Sequence, residues 1–157
     1  MMLKEFDKAI EEAEKGVSLG PNNAVAYFAL GAVLETVGRH QEAIPVIQKS
    51  LRLSPIPVHS MTLGILGNSY SMLRQHEEAI AIYKKQLQLY GPDHLLAHIA
   101  LAANYAWLGR EKEARSEGAE ILRIDPKFSL ERYMKAYPKD QSRKDRLTEA
   151  LRKAGLK

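Results

Sequence analysis

The chain contains no cysteine. That excludes disulfide staples, thiolate metal sites and a thiol nucleophile, and it fits a reducing compartment. No apolar run approaches the roughly 20 residues that cross a bilayer. The acidic, amphipathic start, MMLKEFDKAIEEAEKG, is unlike a secretory signal. A cytoplasmic location with no membrane association is therefore expected. Also missing are a Gly-rich phosphate loop, His-Glu-x-x-His, Gly-x-Ser-x-Gly and a calcium-loop pattern. No active site assembles from what remains, so a non-enzyme without a cofactor is expected.

The 157 residues suit one domain with a continuous core, and a hydrophobic share of 45% argues against wholesale disorder. The net charge of +4 is uneven. Residues 123–157 hold 11 Lys+Arg and 5 Asp+Glu, whereas the first 122 residues hold 12 and 14. The basic end carries Arg143, Lys144, Arg146, Arg152 and Lys153 with neither interleaved aromatics nor a groove-reading motif. A solvated helix face is expected there, and nucleic acid is not an expected partner.

What the sequence does have is a period. Ala43 and Ala79 each sit in Glu-Ala-Ile, and Ala9 (Lys-Ala-Ile) and Ala114 (Glu-Ala-Arg) align with them, at spacings of 34, 36 and 35. Pro21, Pro55, Pro92 and Pro126 recur at 34, 37 and 34. Two independent markers thus give one repeat length. Each unit reads as two helices. Tyr27, Leu30, Gly31 and Leu34 mark one face of the first helix, by spacings of three and four. Gly38 suits a left-handed C-terminal turn. A second helix, about Gln41 to Leu53, turns Ala43, Ile47, Ser50 and Leu51 inward, and Pro55 prevents its extension. Pro45, early in that helix, removes one backbone bond. The later units repeat the plan with Leu63, Leu66, Gly67, Tyr70, Ala79 and Tyr83, then His98, Leu101, Ala102, Tyr105 and Ala114. Small residues at Gly31, Gly67 and Ala102, facing Ala43, Ala79 and Ala114, permit close helix approach.

Tyr27-Leu30-Gly31-Leu34, Gly38, Ala43, Ile47 and Pro55, with their counterparts in the next two units, resemble the tetratricopeptide repeat over roughly residues 5–126. The resemblance implies an all-α, right-handed superhelical solenoid of antiparallel helix pairs. Its parts are a half repeat at 3–21, full repeats at 23–55, 58–92 and 93–126, and capping helices in 127–157. Three positions depart from the pattern. The first marker is Leu63 and His98 rather than an aromatic, Arg74 replaces the turn glycine, and Gly118 replaces a large residue. Each is expected to weaken packing locally.

The ends carry their own expectations. Residues 3–19 match only a second helix, with Phe6, Ala9, Ile10 and Ala13 on its apolar face. Without its partner helix that face stays open, so the chain is expected to be cut from a longer protein. The alternative is that a second copy covers the face, which would make Phe6 and Ile10 homo-oligomer contacts. At the other end, Ser129 N-caps a short helix that Pro138 stops, and a last helix runs from about Ser142 to Ala154 with Gly155 as terminator. The residues Phe128-Ser129-Leu130-Glu131-Arg132, Tyr137-Pro138 and Leu151-Arg152-Lys153-Ala154-Gly155-Leu156 are similar to tails of tetratricopeptide regions attached to bacterial class III adenylate or guanylate cyclases. That resemblance implies a bacterial regulatory segment of a larger cyclase.

The expected function is to bind a peptide or protein segment in an apolar concave groove. The stripe of each first helix that is unused in internal packing would line it: Val25, Phe28, Ala32 and Glu35; Met61, Gly64, Asn68 and Ser71; Leu96, Ile99, Ala103 and Trp107. Asn68 would bond the partner's backbone. The Lys and Arg of a carboxylate clamp are absent from the stripe, so no such clamp is expected. Trp107 can serve as an anchor or as plain packing. His94 and His98, four apart, could face one ion, but two ligands make no zinc site.

Overall fold

The computed structural model describes residues 2–54, 61–137 and 140–157, with side chains from residue 5 onward. The expected stops at Pro55 and Pro138 lie outside the described residues. All described secondary structure is helical, and the packing divides into two compact units, Met1–Gln75 and His76–Lys157.

The first unit contains α1 (Met2–Leu19), α2 (Ala24–Thr36), α3 (His40–Leu53) and α4 (Met61–Met72), with each helix packed on the next and α2 also against α4. The side chain of Asn23 caps α2 by accepting from the Val25 amide at 2.9 Å. Ser50 Oγ donates to the Ala24 carbonyl at 2.7 Å and fixes the end of α3 against the start of α2. The core gathers Ile10, Leu30, Leu34 and Ala43, with Ala13, Val17, Val33, Val37 and Val46 packed around them. The half repeat α1 therefore lays its apolar stripe on α2. This corrects the expectation for Ile10, which is 7% exposed and is a core residue rather than an oligomer contact. Phe6, a turn earlier, is 36% exposed.

The second unit contains α5 (His76–Tyr90), α6 (Leu95–Trp107), α7 (Glu111–Ile124), α8 (Leu130–Ala136) and α9 (Gln141–Lys153). Helix α6 is its axis, packed by α5, α7 and α9. Ala97, Leu101 and Ala102 have no exposed surface. Asp140 caps α9 by accepting from the Arg143 amide at 3.1 Å. Leu147, Ala150 and Leu151 are buried. The Leu130 amide donates to the Lys157 carbonyl at 2.9 Å and ties the chain end to the start of α8. Phe128, Tyr133 and Tyr137 form a tilted ladder with centroids 5.7 and 6.0 Å apart. Burial, and secondarily the neighbouring Tyr137, pushes the Tyr133 hydroxyl up to about 12.

Gly118 does not weaken this packing, contrary to the sequence expectation. A Cβ there would run into the Ala154 carbonyl oxygen and lie 3.1 Å from its carbon. The large residue of the repeat pattern is missing because the end of the cap occupies its space.

One turn is built alike at four helix ends. At Gly38, the Arg39 amide bonds Leu34 O at 2.8 Å and the Gly38 amide bonds Glu35 O at 3.0 Å. Gly109 and Gly155 stand in the same left-handed position, with φ of 74° and 89°. Arg74 holds it with φ 60°, bonding Ser71 O at 3.0 Å while Gln75 bonds Tyr70 O at 2.9 Å. A side chain in this region is strained by about 1–2 kcal/mol relative to glycine, partly offset by glycine's larger unfolded-state entropy. Arg74→Gly should therefore raise stability by about 0.5–1 kcal/mol. Chemical denaturation measures this directly; a lower midpoint at unchanged slope would contradict it.

Candidate functional site

Charge is scarce on the two first helices of the first unit. The 13 residues of α2 and the 12 of α4 contain one charged side chain, Glu35. The packing stripes, Leu30-Gly31-Leu34 and Leu63-Leu66-Gly67, are buried as the periodicity predicts. Off those stripes, Val25 is 44% and Met61 is 62% exposed. Phe28, Glu35 and Asn68 are half-buried. Ser71, also expected on the open stripe, is buried and donates to the Gly67 carbonyl at 3.0 Å.

The structure brings Glu35 and Asn68 together: Asn68 Nδ2 donates to Glu35 Oε1. The contact joins α2 to α4 across a separation of 33 residues. It changes the role expected for Asn68, whose amide is already engaged in orienting a carboxylate. Among the described residues no Lys or Arg pairs with Glu35, and its second oxygen has no protein donor. This face can therefore bury apolar groups and present one oriented negative charge.

The second unit treats its stripe differently. Leu96 is 60% exposed at the start of α6, but Ile99 is only 3% exposed and Ala103 is buried. Ile99 is thus corrected from groove lining to core. Trp107 is half-buried between two other side chains. The Arg146 guanidinium of α9 lies 4.4 Å from its ring centroid, and the His76 ring lies 5.3 Å away. Plain packing accounts for Trp107, since the cap covers it. Sequence reasoning placed Arg146 on a solvated face and missed this role. The signal for it was the i, i+4 spacing of Arg146 from Ala150 on the apolar stripe of α9. His76 was also missed: it is buried, with Nδ1 2.8 Å from Asn104 Oδ1.

The two histidines weighed as metal ligands have separate tasks. His94 Nδ1 accepts from the Ala97 amide at 3.3 Å and so caps α6. His98 is held at both nitrogens, 2.5 Å from Glu117 Oε2 and 2.7 Å from the Pro92 carbonyl. Among the described residues no three His, Asp or Glu side chains gather for a metal ion. Some basic residues of the tail are paired, Arg132 with Asp125, Arg143 with Asp140 and Lys153 with Glu149. No described helix is long and apolar enough to cross a membrane.

Comparison with known proteins agrees with the repeat reading. Two tetratricopeptide repeat family models match residues 3–55 and 62–93, together more than half of the chain. The small glutamine-rich tetratricopeptide repeat-containing protein 2 of Mycosarcoma maydis is 24% identical over 123 residues, covering 78% of this chain and 34% of that protein. The chain therefore spans about a third of the length of that relative. The crystal structure of MamA superposes with a TM-score of 0.74 at 23% identity, over 98% of this chain and 88% of that one. YrrB, described as a TPR protein with an unusual peptide-binding site, gives a TM-score of 0.69 at 22% identity, over 98% of this chain and 78% of that one. At such identities these structures speak for the fold alone. With the repeat period, the helix pairs and both matched segments in agreement, the chain is a tetratricopeptide repeat protein.

Proposed function

We propose that the chain is a non-catalytic protein–protein interaction module that docks a peptide or protein segment on the open face of α2 and α4. The supporting observation is that Val25 and Met61 are both exposed on two packed helices that together carry a single charge. Exposed apolar side chains on an otherwise uncharged face mark surfaces that gain by losing water. Half-buried Phe28, one turn after Val25 on α2, adds aromatic area. Leu96 offers a separate apolar contact in the second unit. The family's general role in protein–protein interaction points the same way, as does peptide binding by YrrB.

Homo-oligomerisation through α1 is less well supported, because only Phe6 of its two proposed contacts is accessible. The reading as a cyclase's regulatory segment rests on the tail alone, and packing accounts for Phe128, Leu130, Tyr137, Leu151 and Leu156.

The test is affinity capture from the native host with wild type and with Val25→Asp/Met61→Asp. Both substitutions are at accessible positions, so helicity by circular dichroism should be unchanged. Captured proteins should fall by about tenfold or more, because the variant leaves carboxylates buried under the partner. Equal capture by the two forms would remove the face from consideration.

A further inference from the structure

The Glu35–Asn68 pair indicates what kind of segment this face takes. We propose that the occupant carries one lysine or arginine flanked by apolar residues, and that its cation pairs with Glu35. The inference rests on the binding face proposed above and adds its charge preference.

Glu35 is only partly satisfied by the protein. A carboxylate can accept about four hydrogen bonds. Among the described residues Glu35 receives one, from the Asn68 amide on Oε1. No cation among the described residues neutralises it, although elsewhere in this unit the exposed Glu12 and Glu42 have their own cations, Lys15 and Arg39. In the free protein, water satisfies the remaining sites of Glu35. A segment that runs along α2 from Val25 past Phe28 to Glu35, ten residues or about 15 Å away, would strip that water and leave a half-buried charge uncompensated, which is costly. A carboxylate or an apolar side chain opposite Glu35 would leave that cost uncompensated, and a neutral donor would offset only part of it. A lysine or arginine would instead form a charge-assisted hydrogen bond in a partly desolvated setting. Asn68 assists by holding the carboxylate in one orientation, so less side-chain freedom is lost on pairing.

The polarity of recognition follows from the same charges. The 25 residues of α2 and α4 include no Lys or Arg that could attract an acidic segment or a terminal carboxylate. The face therefore selects by one negative charge in apolar surroundings.

The experiment is selection of a random-peptide display library on the intact chain, with the Val25→Asp/Met61→Asp protein as the counter-target. Wild type should enrich peptides with a basic residue bracketed by apolar ones. A synthetic peptide of that consensus, followed by fluorescence anisotropy, should bind Glu35→Gln about tenfold more weakly. The substituted side chain keeps an oxygen for the Asn68 amide, so the fold is preserved. Replacing the peptide's basic residue with norleucine should weaken binding to wild type by a similar factor and leave binding to Glu35→Gln nearly unchanged. Enrichment of apolar peptides without basic bias, or equal affinity of wild type and Glu35→Gln, overturns the charge preference and leaves the face standing. No enrichment over the counter-target overturns both.

Discussion

Gly118→Val is expected to destabilise the second unit by about 2–3 kcal/mol. At this chain length that is a fall of roughly 5–10 °C in Tm. Gly118 lies inside α7, where glycine is intrinsically poor and alanine would be better by about 0.5–1 kcal/mol. Propensity alone therefore predicts that any Cβ at this position stabilises. Packing predicts the reverse, because the added atom meets the Ala154 carbonyl rather than a side chain that could rotate away. Backbone can yield only by moving the end of α9. The larger packing effect should win even for Gly118→Ala, and valine should amplify it. A local readout is available in Trp107, whose ring lies under Arg146 of α9. Its near-ultraviolet circular dichroism should lose intensity when the cap lifts, before the rest of the chain melts. Unchanged melting and an unchanged Trp107 signal in Gly118→Val would show that the cap does not need this close approach.

Legibility in the sequence differed from element to element. The helix pairs were legible because a packed stripe imposes spacings of three and four, and because Gly38 and Gly109 punctuate each pair. The half repeat was legible as a helix, but its apolar face looked unpartnered. The missing information was that Ile10 joins the same cluster as Leu30, Leu34 and Ala43, with Val33 and Val37 packed against it. Periodicity reports which face is apolar and not which neighbour covers it. The same limit explains Ile99 and Trp107. Both lie off the main stripe of α6, yet this helix is packed from more than one side, by α5, α7 and α9. Gly118 read as a defect because its partner, the backbone at Ala154, is 36 residues away and leaves no side-chain signature. The sequence placed Asn68 on the open stripe, but its bond to Glu35 depends on two helices crossing at one height, which no single-helix pattern encodes.

Gly31 makes a contrasting close approach, and its replacement should show a different kind of rescue. A Cβ at Gly31 would fall on the Ile47 side chain, 2.5 Å from Cγ1 and closer still to Cδ1. Ile47 is fully buried, and a close-packed interior leaves it little room to rotate. Gly31→Leu should therefore cost about 1–3 kcal/mol or more by overpacking. Ile47→Ala alone should cost about 2–5 kcal/mol through the cavity it leaves. The two changes act on one space, since the new leucine enters the volume that the isoleucine vacates. Their combination should be less damaging than the sum by about 1–2 kcal/mol, a favourable coupling measurable by a double-mutant cycle in urea. No such rescue is expected at Gly118, because trimming Ala154 to glycine leaves the offending carbonyl in place. Strict additivity at Gly31 and Ile47 would mean that the helices of this pair separate instead of repacking. A favourable coupling there, with none between Gly118 and Ala154, would establish that the first repeat is set by side-chain volume and the last by the backbone of its cap.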